Sequence, residues 1–212
     1  ASGGVDKTIS IWNPATGEEV RKLRGHEGPV NAVAFASDNV TVGSASDDWT
    51  VRIWDATTGA ERHRLEGNTY TATSVAFTPD AKQVIAGGND HSIRFWDVSE
   101  GTPGLVLEDG LFEVKCLAVA PNGETLAVGP AGWGKVLRLL NTTDGKDRID
   151  LGGHQSEVSA ADFSKDGKTV LSGSWDSSIR MWESATGAQT AKLDGHELKV
   201  YAVRLSPGGN EF

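Results

Sequence analysis

GHQSEVSAADFSKDGKTVLSGSWDSSIRMW, residues 153–182, decides the fold. Within it Val158–Phe163, Thr169–Gly173 and Ser178–Trp182 alternate apolar with small or polar side chains, the period of half-buried strands. Lys165-Asp166-Gly167 supplies a turn between the first two. A further short strand, Asp147–Leu151, precedes Gly153-His154, and a second turn, Ala185-Thr186-Gly187, follows Trp182. No segment of the chain offers ten or more residues of helical periodicity.

The same pattern returns with a period near 42 residues. Its aromatic end is Trp12 in Thr8-Ile9-Ser10-Ile11-Trp12, Trp54 in Val51-Arg52-Ile53-Trp54-Asp55, and Trp96 in Ile93-Arg94-Phe95-Trp96-Asp97. Leu140 takes the place before Trp182, two residues late, so the spacings are 42, 42, 44 and 42. His26 and His154 precede Trp54 and Trp182 by 28 residues, each after a glycine, and Gly195-His196 continues the series. Asn68 stands at that place before Trp96.

In its Gly-His pairs, its Ser-Gly-Ser before an Asp-containing turn and its Trp-Asp ends, the chain resembles the WD-repeat (WD40) family over essentially its whole length. The resemblance implies an all-β fold, a five-bladed β-propeller of four-stranded antiparallel blades set radially about a channel. Each repeat then supplies the outer strand of one blade and the three inner strands of the next. The repeats fall at approximately 13–54, 55–96, 97–140, 141–182 and 183–212 joined with 1–12, within one domain spanning 1–212.

That join is numerical. From Leu205 through Phe212 and on from Ala1 to Trp12 is 20 residues, the count from Phe163 to Trp182. Ser206 then matches Ser164, Ser2 matches Ser172, Gly3 matches Gly173 and Asp6 matches Asp176. The chain reads as a circular permutation in which the N- and C-termini share one blade, with Tyr201–Leu205 as its first inner strand. An open ring would expose pairing edges. A closed monomer is the favoured arrangement; a strand- or blade-exchanged homo-oligomer and an excised piece of a larger propeller are the alternatives. The terminal Ala-Ser and Glu-Phe have the look of cloning remnants, which keeps open an engineered or excised fragment that self-assembles without a defined ligand.

The resemblance also implies a structural tetrad in each complete repeat. A buried Trp N–H needs an acceptor, a hydroxyl can both give and take, and an imidazole bridges to a carboxylate. The sets are Trp54, Ser44, His26 and Asp48; Trp182, Ser172, His154 and Asp176; and, drawing on both ends, Trp12, Ser2, His196 and Asp6. The repeat ending at Trp96 keeps Asp90 but has Ala86 and Asn68. The repeat ending at Leu140 has lost all four members, with Gly110 and Val128 at two of the positions. Ser, His and Asp together suggest a hydrolase triad, but recurrence at one offset in three repeats favours the structural role. Equivalent histidines fall in different blades, which argues against a metal site, and His63 and His91 are expected to face solvent. Gly129-Pro130-Ala131-Gly132-Trp133-Gly134-Lys135 has phosphate-loop spacing, yet Val136 follows the lysine and a strand follows that. It reads as an enlarged loop exposing Trp133. Cys116, the one cysteine, lies in an apolar run and reads as a core thiol.

Twenty-nine acidic against 20 basic side chains give a net charge of -9. This argues against nucleic acid and mildly favours a basic partner. No apolar run approaches a membrane span and no signal peptide is present, so the expected location is cytoplasmic. The expected function is a non-catalytic scaffold for a protein or peptide, with no cofactor. By the resemblance, binding occurs at the loop-rich channel mouth. The turns there carry Val5, Asp47, Asn89, Trp133 and Trp175; the strand starts carry Asn31, Thr73, Lys115, Ser159 and Tyr201, beside Glu157 and Lys199. The candidates are Trp133, Trp175, Tyr201, Asp47, Asn31, Glu157 and Lys199. The alternative is a carbohydrate-binding propeller, which equivalent aromatic pockets in every blade would favour; one irregular aromatic patch favours protein.

Overall fold

The computed structural model describes residues 1–108, 113–132, 134–146 and 149–206, which form nineteen strands and no helix. The chain divides into two compact units, Ala1–Glu108 and Asp109–Phe212.

The first unit holds three antiparallel sheets. One has three strands, β1 (Ser2–Gly3), β2 (Thr8–Trp12) and β3 (Glu19–Arg24). The second is β4 (Val30–Phe35), β5 (Thr41–Ser46), β6 (Val51–Asp55) and β7 (Glu61–Leu65). The third is β8 (Ala72–Phe77), β9 (Gln83–Gly88), β10 (Ile93–Asp97) and β11 (Pro103–Leu107). In the second unit the sheets are β12 (Val114–Val119), β13 (Thr125–Pro130), β14 (Leu137–Asn141) and β15 (Ile149–Leu151), then β16 (Val158–Phe163), β17 (Thr169–Ser174), β18 (Ser178–Glu183) and β19 (Gln189–Asp194). Every sheet is a meander of sequential hairpins.

Local chemistry explains the hairpins. Gly17, Gly59, Gly101, Gly145 and Gly187 close the last hairpin of each sheet at φ between 66° and 82°, a conformation costly for a residue with a Cβ. Apolar side chains fill the space between neighbouring sheets. Ile9, Leu23, Val30, Val42 and Trp54 form one such layer, and Ala45, Ile53, Leu65, Val84 and Trp96 the next. In the second unit Leu137, Leu139, Leu151, Val158, Phe163, Val170 and Trp182 make the corresponding layer. Full burial of each large side chain is worth roughly 1.5–3 kcal/mol.

The strands of residues 153–182 fall where alternation puts them, with β17 and β18 each one residue longer than read. Asp147, like Gly110 and the join residues 207–212, lies outside the described residues. Tyr201–Leu205 requires a correction: residues 201–206 form no strand. A strand exists only through a ladder partner, and in the second unit side chains hold this backbone instead. Asp162 Oδ2 accepts the Leu205 N–H at 2.8 Å, and the Val200 carbonyl accepts from the Ser159 hydroxyl.

Gly173 lets this segment approach β17. A Cβ there would lie 2.8 Å from a methyl of Val200 and 2.8 Å from one of Val203. Gly173→Val is therefore expected to destabilise the chain by about 1–3 kcal/mol through overpacking. Urea unfolding monitored by Trp fluorescence would measure it; an unchanged midpoint would show that the 200–203 segment does not pack there in solution.

Candidate functional site

Four sheets begin with the same irregularity. Their ladders shift register between Val30 and Ala32, Ala72 and Ser74, Val114 and Cys116, and Val158 and Ala160. The residues left out of register are Asn31, Thr73, Lys115 and Ser159, the strand-start positions of the repeat. A bulge breaks strict alternation and re-aims a side chain. Asn31 Nδ2 donates to Asp47 Oδ1 at 2.8 Å and across to the Ala72 carbonyl at 3.0 Å. Thr73 donates to the Gly87 carbonyl at 3.0 Å, and Ser159 to the carbonyls of Gly173, at 3.1 Å, and Val200.

Around Lys115 the bulge builds a denser arrangement within the second unit. Its ammonium lies 3.8 Å from Glu157 Oε1, and the Glu157 side chain is only 5% exposed. Glu157 Oε2 accepts the Gly132 N–H at 2.7 Å, so within the phosphate-loop-like string this amide is already taken by a carboxylate. The Trp175 amide donates to the Glu157 carbonyl at 2.9 Å. Trp175 is half-buried, and Tyr201, 69% exposed, meets its ring edge-on at 6.3 Å. Lys199 places its ammonium 3.5 Å from the Trp175 ring centroid and Lys115 places its own at 5.7 Å, both attracted by the ring's negative face.

Of the candidate binding residues, then, the structure brings together Glu157, Trp175, Lys199 and Tyr201 in one unit, and Asn31 with Asp47 in the other. Trp133 lies outside the described residues. A second aromatic pair was not anticipated. Trp49 and Tyr70, 52% and 60% exposed, stand 6.1 Å apart. Trp49 sits at φ 68°, at the turn position that is Lys7, His91 and Ser177 elsewhere, all with positive φ. The left-handed conformation costs a non-glycine residue about 1 kcal/mol. A Trp at a repeat position otherwise held by Lys, His and Ser was the available signal.

Two of the three Trp–Ser–His–Asp sets are closed by hydrogen bonds. Trp54 Nε1 donates to Ser44 Oγ at 2.8 Å; His26 Nε2 is 2.7 Å from that oxygen and His26 Nδ1 is 2.8 Å from Asp48 Oδ2. The matching distances for Trp182, Ser172, His154 and Asp176 are 2.8, 2.8 and 3.0 Å. Because an ionised carboxylate only accepts, Nδ1 carries the proton. Nε2 then accepts from the serine hydroxyl, whose oxygen takes the indole N–H. The chain of donors works only with neutral imidazole. Burial pushes both histidines below their ordinary pKa, against the pull of the aspartates. Burial alone would raise the Asp48 carboxyl, but hydrogen bonds from Thr50, the Glu27 amide and His26 together hold it well below the usual range; Asp176 is held down likewise by Ser178 and the Gln155 amide.

The third set is split. Trp12 donates to Ser2 at 2.8 Å but is 45% exposed. Asp6, exposed, accepts from the Thr8 hydroxyl at 2.8 Å, and His196 in the second unit is exposed. Asp90 accepts from Ser92 at 2.7 Å and the Thr69 amide at 3.1 Å, while Ala86 offers no hydroxyl to Trp96. The hydroxyl two residues after each aspartate, Thr8, Thr50, Ser92 and Ser178, was readable as an Asp-x-Ser/Thr recurrence. So was the arginine two before Trp54, Trp96, Leu140 and Trp182: Arg52 pairs with Glu61 at 2.7 Å, and Arg180 bonds Gln189 at 2.5 Å.

This chemistry is inward-facing. Ser44 and Ser172 are fully buried and already hydrogen-bonded on both sides, so neither can attack a substrate. Cys116 is buried, its thiol pushed up to about 12 by desolvation and its Sγ 3.6 Å from the Val158 carbonyl, which leaves no thiolate at neutral pH. His63, expected in solvent, is half-buried with Nε2 2.9 Å from the Ser99 carbonyl. Among the described residues no three His, Cys, Asp or Glu side chains converge as a metal site, and no helix is long and apolar enough to cross a membrane.

Five antiparallel meanders, four opened by the same bulge and two tied by an aromatic–hydroxyl–imidazole–carboxylate chain, define a repeat protein of propeller-like blades. The WD domain, G-beta repeat, matches residues 17–55, 59–97 and 145–183, more than half of the sequence, and the chain belongs to that family. Among similar proteins, guanine nucleotide-binding protein subunit beta-5b of Danio rerio is 39% identical over 67 residues, 32% of this chain and 16% of its own length. Small ribosomal subunit protein RACK1y of Oryza sativa subsp. japonica is 40% identical over 60 residues, covering 27% and 18%. The chromatin assembly factor 1 subunit FAS2 homolog of the same plant is 34% identical over 92 residues, covering 42% and 18%. The chain thus spans less than a fifth of the length of these relatives.

Proposed function

We propose that the chain is a non-catalytic scaffold that binds a protein or peptide through its loops, chiefly at Trp175 and Tyr201 with Lys199 and Glu157, and with Asn31 and Asp47 as a second contact. The exposed, ordered Trp175–Tyr201–Lys199 corner carries this reading, because aromatic anchors dominate protein interfaces. The relatives are, by their names, subunits or a subunit protein of larger assemblies, which fits. The strand-start positions differ in every repeat (Asn31, Thr73, Lys115, Ser159, Tyr201), which favours protein over five equivalent sugar pockets.

Display selection from a random-peptide library tests it. Peptides recovered on the chain are expected to lose binding to the Trp175→Leu, Tyr201→Ser double variant, with the melting temperature of that variant measured alongside. Retention of binding by a folded double variant would remove these residues from the site.

In the same proposal the five sheets form one closed five-bladed ring, with the C-terminal segment beside the β1–β2–β3 sheet and His196 completing the set of Trp12, Ser2 and Asp6. Light scattering is expected to give one chain mass, 22.4 kDa. A stable multiple would favour exchange of termini between copies.

A further inference from the structure

The net charge of -9 points to basic partners, but the Trp175 corner has the opposite character. Two of its accessible charges are cations. Lys199 is exposed and the Lys115 side chain is 38% exposed, whereas Glu157, the carboxylate between Gly132 and Lys115, is 5% exposed. Lys199 is held on the Trp175 ring and Lys115 by Glu157, so neither must be ordered when a ligand arrives. Both ammoniums lie within 6 Å of the Trp175 ring centroid. The Trp175 indole N–H is enclosed without a hydrogen-bond partner, as is Glu157 Oε1 beside Lys115. Tyr201, 69% exposed, adds an aromatic wall with a hydroxyl.

We infer that this corner binds an acidic peptide segment, its side-chain carboxylates pairing with the accessible Lys199 and Lys115 ammoniums while a neighbouring apolar residue covers Tyr201. The inference rests on the peptide-binding reading above and names its ligand. A basic segment would instead meet two accessible ammoniums, and the Glu157 carboxylate is 5% exposed. Glu197, exposed two residues before Lys199, weakens the local positive potential without removing it.

The test uses three matched fluorescent dodecapeptides on the full chain, identical except for four positions occupied by Glu, Gln or Lys. Fluorescence anisotropy is expected to rank them Glu, then Gln, then Lys, against the direction set by net charge. Lys199→Gln and Lys115→Gln should each weaken the Glu peptide about 3- to 10-fold, Lys115→Arg should restore most of it, and Glu197→Gln should strengthen it. Lys146→Gln, in the turn after β14, should change nothing, and melting temperatures exclude misfolding. A Lys peptide that binds best, or a Glu peptide indifferent to both lysine variants, overturns the inference. If in that case Tyr201→Ser still abolishes binding, the corner is a peptide site of different chemistry; if Tyr201→Ser changes nothing for any peptide, the binding site itself is misassigned.

Discussion

Replacing Trp182 by alanine is expected to lower the unfolding free energy by about 3–5 kcal/mol and the melting temperature by roughly 10 °C. Trp182 is 1% exposed and packs with Leu137, Leu139, Leu151, Val158, Phe163 and Val170, so its loss opens a cavity between two sheets of the second unit. A second cost is polar. Ser172 Oγ loses the indole N–H at 2.8 Å and keeps only its bond to His154. Trp182→Phe separates the two effects: most of the apolar area remains, and the missing N–H should cost about 1 kcal/mol. Trp12→Ala provides the comparison. Its ring is 45% exposed, so the sheet of β1–β3 by itself predicts a smaller loss. A penalty as large as that of Trp182→Ala would mean that Trp12 is buried in solution, as closure of the ring requires. Chemical denaturation of the three variants measures all of this; a Trp182→Ala cost below about 1 kcal/mol would be incompatible with the packing described.

Much of this architecture was legible because it repeats. A residue such as Trp54 or Gly59 answers a local demand, burial of an indole or a turn at positive φ, and the same demand every 42 residues makes the answer periodic. What broke the period was harder to see. Trp49 occupies a position held by Lys7, His91 and Ser177 in other repeats, so averaging over repeats hides it. The strand starts were placed correctly in sequence, yet the bulge at Asn31, Thr73, Lys115 and Ser159 was not evident. One extra backbone residue leaves no mark on side-chain type, and only the partner strand reveals it. Tyr201–Leu205 shows the reverse case. Its alternation is that of a strand, but alternation specifies which face is buried and not whether a ladder partner is present. The Thr50 and Ser178 hydroxyls escaped notice because Ser and Thr are common in turns; their function appears only when Asp48 and Asp176 are seen accepting from them.

Asp48→Ala is expected to cost about 3 kcal/mol at neutral pH and to change how stability responds to acid. The carboxylate, 7% exposed, accepts the Glu27 amide at 2.9 Å, the Thr50 amide and hydroxyl at 2.9 and 2.6 Å, and His26 at 2.8 Å. Truncation leaves these donors facing a void and frees His26 from its fixed tautomer. In the unaltered chain the folded pKa of Asp48 and Asp176 is depressed, so their stabilisation is present above the ordinary carboxylate pKa of 3.8 and is lost as pH falls through the lower folded value. His26 and His154 act at higher pH. Their folded pKa is also depressed, so the unfolded chain takes up protons first as pH drops below the ordinary value of 6.5, and folding stability falls with it. Urea midpoints should therefore decline between pH 7 and pH 5, before any carboxylate of ordinary pKa protonates. Replacing both histidines by Gln removes this decline while lowering the neutral-pH midpoint. Asp48→Ala also loses the carboxylate that favours protonated His26, so its midpoint should fall at least as steeply over the same interval. A chain whose stability is flat from pH 7 to pH 5 would show that the two imidazoles are not held neutral inside the fold.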